Sequence, residues 1–86
     1  MISNHEYNRI FWASRRGMLE LDLILVPFVE QRLHELDDID VQRYVQLLEC
    51  EDTELFAWFL QRLMPQDPEL AGIVEQILAH NRAPRS

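Results

Sequence analysis

The chain has 86 residues and a formal charge of −7, with 15 acidic side chains against eight arginines and no lysine. That length supports a single small hydrophobic core, and the acidic balance repels a phosphate backbone, which excludes nucleic acid as an expected partner. With 48% hydrophobic and 27% charged residues the composition is that of a chain that folds alone, not of a disordered tail.

Helical periodicity occurs five times along the sequence and sustained alternation nowhere, which predicts an all-α single domain over residues 1–86, a small bundle of five short helices with frayed ends at about 1–3 and 81–86. Asn4 is the expected cap of the first helix, in which Tyr7, Ile10 and Phe11 share a face. Trp12 falls off that stripe, leaving it either covered by another element or partly exposed. Gly17 suits the left-handed residue that ends this helix.

A second helix is expected from about Met18 to Leu33 or His34. Its first half, Leu19, Leu21, Leu23, Ile24, Leu25 and Val26, is apolar nearly all round, so it is either central to the bundle or also in contact with a partner. Pro27 removes one main-chain hydrogen bond and is expected to kink or break it.

Val41, Tyr44, Val45 and Leu48 form the stripe of a third helix capped by Asp38 or Asp40, and a fourth, capped by Asp52 or Thr53, points Leu55, Phe56, Phe59 and Leu63 inward. Trp58, beside that stripe, is expected in the core. Asp67 as cap with Pro68 at the first helical position opens a fifth helix whose stripe is Leu70, Ile73, Val74 and Ile77, with Gly72 costing it about 1 kcal/mol relative to alanine.

Templates for chemistry fail one after another. His5, His34 and His80 lack zinc spacing and read as surface histidines. The run "DDIDVQ" starts like a calcium loop but lacks the glycine and the later bidentate glutamate, so it reads as an acidic capping turn. The two glycines are too far apart for a phosphate loop. Glu49, Glu51, Asp52 and Glu54 could pair as general acid and base, although at a helix start their interaction with the macrodipole accounts for them. The lone Cys50 cannot form an internal disulfide and reads as a small buried hydrophobe in a reducing compartment. The opening "MISNHEYNRIFW" has neither signal-peptide nor transit-peptide character, and the longest uncharged apolar run, Leu23 to Val29, is far below the roughly 20 residues that span a bilayer. A cytoplasmic protein is therefore expected.

The densest positive charge, Arg15 and Arg16, stands directly before Gly17 and Met18. Arginines in the last turn of a helix gain from its dipole, which explains the charge. It does not explain a large apolar Met18 at an inter-helix corner with Glu20 and Asp22 within a turn of the arginines, and that mixture is the composition of a protein-docking surface.

The block "RRGMLELD" (Arg15 to Asp22), "PF" (Pro27 and Phe28) and "LLECEDTELFAWF" (Leu47 to Phe59), at these intervals in a chain of this size, resemble the FAD assembly factors of succinate dehydrogenase, the bacterial SdhE family. The resemblance spans roughly residues 7–78 and is most specific around Arg16, Gly17, Met18 and Glu20. It implies a five-helix bundle that is not an enzyme but an assembly chaperone. Such a chaperone binds the flavoprotein subunit of succinate dehydrogenase, and in bacteria that of fumarate reductase, and promotes covalent attachment of FAD to a histidine of that subunit. By position, Arg16, Gly17, Met18 and Glu20 would form the docking surface with Arg15 and Asp22 flanking it, and Arg16 would pair with an acid of the partner. FAD would belong to the partner, and this chain, a monomer when free, would hold no cofactor stably. Mitochondrial relatives need a targeting peptide, so a bacterial, cytoplasmic member is implied. The alternative is an antitoxin-like binding module paired with a membrane-bound toxin, as some members of the family are described. A flavin carrier has no phosphate cradle to rest on, and an enzyme would rest on the acidic cluster alone.

Overall fold

A computed structural model describes residues 2–82. Helix α1 (Asn4–Ser14) starts one residue before the expected cap: Ser3 is in extended conformation and its side chain accepts a hydrogen bond from the Glu6 amide at 3.1 Å. Asn4 is thereby the first helical residue, because a hydroxyl already satisfies the amide that Asn4 would otherwise have to serve. Tyr7, Ile10 and Phe11 face the core as their spacing predicts, and Trp12 is 64% exposed. The helix stops at Ser14, and Arg15 is already extended. Gly17 does adopt a left-handed φ of +82°, but within the corner between two helices, not immediately after the last turn of α1.

Helix α2 (Leu19–Arg32) is the centre of the bundle. Leu21, Leu25, Phe28 and Val29 are buried, and the helix packs on α1, on α4 (Asp52–Phe59) and on α5 (Pro68–Arg82). It runs through Pro27 without a break, contrary to one of the two outcomes expected there. Proline removes a single main-chain donor, and the flanking Leu25, Phe28 and Val29 are held on all sides by the core. A 3₁₀ turn, Leu33–Glu35, extends it and buries Leu33.

Helix α3 (Asp38–Leu48) carries Val41, Tyr44, Leu47 and Leu48 into the core. Its cap is Asp37, whose carboxylate accepts from the Asp40 amide at 2.8 Å, so the expected Asp38 and Asp40 both lie inside the first turn. The same displacement occurs at α4, where Glu51 occupies the cap position and the Glu54 carboxylate reaches back to accept its amide at 3.2 Å. Asp52 and Thr53 are therefore the first helical residues and not the caps. Adjacent acids in an acidic turn are interchangeable by sequence, and the extended backbone of the preceding residue decides which one serves.

Helix α4 ends at Phe59, earlier than its apolar pattern suggests. The Gln61 amide bonds to the Trp58 carbonyl and the Arg62 amide to the Ala57 carbonyl, each at 3.0 Å, with Gln61 at φ 62°. This is a Schellman ending with glutamine where glycine is usual. Leu63, expected to face inward, lies beyond the helix and is 64% exposed, whereas Leu55, Trp58 and Phe59 are buried. Helix α5 opens as expected: the Asp67 carboxylate accepts from the Glu69 amide at 2.9 Å, with Pro68 in the first helical position. Ile73, Val74, Ile77 and Leu78 are buried against α3, α2 and α4. Of the ends expected to fray, Ser3 caps α1 and Asn81 and Arg82 close α5, while Met1 and residues 83–86 lie outside the described residues. Among the described residues there is no strand, and no helix is long and apolar enough to cross a membrane.

Candidate functional site

The corner between α1 and α2, residues 15–18, is built around Arg16. Its backbone amide donates to the Asp22 carboxylate at 2.8 Å, so one acid in the first turn of α2 folds the link back on its own helix. Its guanidinium points the other way, into the junction between α3 and α4. There Nη1 donates to the Leu48 carbonyl at 2.7 Å, Nη2 to the Cys50 carbonyl at 2.9 Å, and Nε to Asp52 Oδ1 at 2.7 Å. Nη1 also lies 3.3 Å from the Ala13 carbonyl of α1. The cation thus closes the C-terminal end of α3, where carbonyls have lost their helical donors and the dipole is negative. The pairing expected for Arg16 is with an acid of another protein; in this chain the guanidinium already has an internal one, Asp52. The arginine side chain is only 17% exposed, and its charge is answered within the chain.

The neighbours divide between inward and outward roles. Met18 is half-buried against the core and Asp22 is held by the Arg16 amide, whereas Arg15, Gly17 and Glu20 are exposed. Arg15 lies over the Trp12 ring with its Cζ 5.6 Å from the ring centre, and Trp12 also meets Phe11 edge-on. Leu19 and Leu23, one turn apart on α2, are 68% and 60% exposed. Next to them an open groove of about 290 Å³ runs between Phe11, Leu19, Leu23 and Pro27, with Arg15 and Asp22 on its polar edges. The all-round apolar start of α2 is accounted for in two halves. Leu21 and Leu25 face the core, and Leu19 and Leu23 extend the corner as an apolar outer face.

Sequence reasoning passed over two features here. Asp52 is the counter-ion of Arg16, yet it is 36 positions away, and its place in an acidic run offered capping, macrodipole and acid–base readings but not this one. The groove of Phe11, Leu19 and Leu23 crosses from one helix to the next, so its signal was confined to the all-round apolar start of α2.

Beneath the corner, Ser14 and Tyr44 are fully buried; the Ser14 hydroxyl donates to the Ile10 carbonyl at 2.8 Å and lies 2.7 Å from the Tyr44 hydroxyl. Burial pushes the Tyr44 phenol well above its ordinary range, with the Ser14 hydrogen bond and the Arg16 charge partly opposing. Burial likewise raises the Cys50 thiol, helped by Glu54 and Glu49 and opposed by Arg16, which makes it a poor thiolate at neutral pH. Of the acidic cluster, Asp52 is engaged by Arg16 and Glu54 by the Glu51 amide, both in structural roles. No group of three or more metal-ligating side chains occurs among the described residues.

The corner is therefore held from within by Arg16 and Asp22, and its apolar flank, Leu19 and Leu23, is exposed. Residues 8–81 match the model of the family described as the flavinator of succinate dehydrogenase. The chain belongs to this family. Among its relatives, the FAD assembly factor SdhE of Pseudomonas putida is 50% identical over 78 residues, 91% of this chain and 93% of the relative. The proteins of the same name from Shewanella oneidensis and Yersinia pseudotuberculosis are 52% identical over 69 residues and 45% identical over 75 residues. These alignments cover 80% and 87% of this chain and 84% and 85% of those relatives. Flavinator-family membership agrees with the all-α bundle.

Proposed function

We propose that this chain is a non-enzymatic assembly chaperone of the cytoplasm. It docks, as a monomer, on the flavoprotein subunit of succinate dehydrogenase, and on that of fumarate reductase where present, and promotes covalent attachment of FAD to it. Family membership supports the client. One structural observation supports the surface: Leu19 and Leu23 are exposed along a groove edged by Arg15 and Asp22, at a corner that Arg16 fixes from within, with Trp12 exposed under the Arg15 guanidinium. Exposed apolar side chains with charge at the rim match the apolar centre and polar edge of a protein interface.

Joining a flavin methyl carbon to a histidine demands near-attack geometry and stabilised negative charge on the flavin ring. The chaperone supplies neither from a cofactor pocket of its own, and FAD stays with the client. It acts by binding one conformation of the flavoprotein more tightly than the rest, which raises the population in which histidine and flavin are aligned. Met18 and Gly17 allow close approach of the two backbones at the corner, and Arg15 and Glu20 orient the encounter.

The test is a reconstituted reaction of purified flavoprotein subunit, FAD and chaperone, read as covalent flavin fluorescence in a denaturing gel. Leu23→Glu and Glu20→Arg are expected to keep native helicity and to lose most of the stimulation. Undiminished stimulation by both variants would remove this surface from the function.

A further inference from the structure

We propose that Asp52 is a positioning residue for client docking, acting through Arg16 on the corner it does not itself belong to. The inference rests on the docking surface proposed above and names what holds that surface in shape.

The corner is a short link with one residue, Gly17, at φ +82°, and a glycine there leaves the chain free to adopt other conformations. Something outside the link has to restrict it. Asp22 does so locally, through the Arg16 amide. The long-range restraint is the guanidinium, which reaches the α3–α4 junction and takes both carbonyls, of Leu48 and Cys50, on its terminal nitrogens. Carbonyls alone would leave a largely buried cation without a counter-charge. Asp52 supplies it, with Oδ1 at 2.7 Å from Nε. Its carboxylate is available because the start of α4 is served by Glu51 and Glu54.

Removing the carboxylate therefore loosens a corner on the far side of the link. The apparent dissociation constant of a client rises in inverse proportion to the fraction of molecules whose corner is in the docking conformation. If that fraction falls to about a tenth, binding weakens about tenfold. Asp52 is itself 42% exposed, so a direct contact with the client is the rival explanation, and a double-mutant cycle separates the two.

The full chain is titrated against purified flavoprotein subunit as Asp52→Ala, Arg16→Ala and the double variant, and exchange of the Arg16 backbone amide is followed by NMR in each free variant. Asp52→Ala is expected to weaken binding about tenfold and to speed exchange of the Arg16 amide while the α5 amides exchange as before. It is expected to add nothing in the Arg16→Ala background. Asp52→Asn, whose amide oxygen still accepts from Nε, recovers part of the affinity. Should Arg16→Ala fail to fold, Arg16→Lys takes its place, since an ammonium keeps the charge but cannot span Asp52 and both carbonyls. Wild-type affinity in Asp52→Ala, or an additive loss with unchanged exchange at Arg16, overturns the inference. Leu23→Glu and Glu20→Arg are run alongside. If they too bind as wild type, the docking surface itself falls. If they lose binding while Asp52→Ala retains it, only the role of Asp52 falls.

Discussion

The Tyr44 hydroxyl donates to the Ser14 hydroxyl across 2.7 Å and ties α3 to α1 directly beneath the exposed corner. The direction follows from the third partner: the Ile10 carbonyl can only accept, so the Ser14 proton goes there, and the tyrosine proton is left to serve the serine oxygen. Both side chains are fully buried, out of reach of bulk solvent.

An asymmetry between the two deletions is expected. Ser14→Ala strands a buried phenol without its acceptor and costs about 1–3 kcal/mol, whereas Tyr44→Phe removes one hydrogen bond and costs about 0.5–1.5 kcal/mol. Urea midpoints for the two variants check the order, and a Tyr44→Phe protein less stable than Ser14→Ala would show the proton assignment to be wrong.

Alkaline pH should destabilise the fold through the same tyrosine. Its phenol is raised above the ordinary value of 10.0 by burial, so the folded state holds the proton more tightly than the unfolded chain. The associated stability is complete below that value and is lost as pH rises above it, by up to about 1.4 kcal/mol per pH unit. Cys50, raised from 9.0, contributes with the same sign from a lower starting pH. Equilibrium unfolding measured at a series of alkaline pH values should give a shallower decline in Tyr44→Phe than in wild type. Equal slopes would mean that Tyr44 does not titrate on unfolding.

Gln61 occupies the left-handed position of the α4 ending at φ 62°. A side chain there costs roughly 1–2 kcal/mol that glycine avoids, so Gln61→Gly should stabilise the protein by about 1 kcal/mol despite the greater freedom of the unfolded chain. The converse holds at Gly17, φ +82°, where a Cβ would meet nothing within 4 Å. Gly17→Ala should therefore cost about 1 kcal/mol from backbone strain alone. Chemical denaturation of both variants, with opposite signs of change, is the measurement.

Gly72 lies in the second turn of α5, with ordinary helical conformation and no atom within 4 Å of an added Cβ. Gly72→Ala should raise stability by about 1 kcal/mol, a shift in Tm of roughly 4–8 °C for a domain of this size. A thermal melt that does not move would indicate that the exposed face of α5 carries a constraint other than helix propensity.

What the sequence alone determined was the existence of the helices and most of their buried faces, which neighbours within two turns set. The stripes of Val41, Tyr44 and Leu48 and of Ile73, Val74 and Ile77 placed helices and their buried faces, because a helical period of 3.6 brings residues three and four apart onto one side whatever the rest of the chain does. Asp67 with Pro68 placed a helix start for the same local reason. The block around Arg16 and Gly17 marked the corner and the family.

Only the tertiary structure decided what that corner is made of. Arg16 looked like a hand held out to a partner, but its acceptors, at Leu48, Cys50 and Asp52, come from 32 to 36 positions along the chain. No local pattern carries that information, since packing of α1 against α3 creates the pairing. Likewise the apolar run through Leu63 continues past a helix that Gln61 has already turned, and Phe11 meets Leu19 and Leu23 in one groove only after the chain reverses at Gly17. Periodicity reports which side of a helix prefers to avoid water. Which charges meet, and which apolar side chains are left outside, follow from how the helices are set against one another.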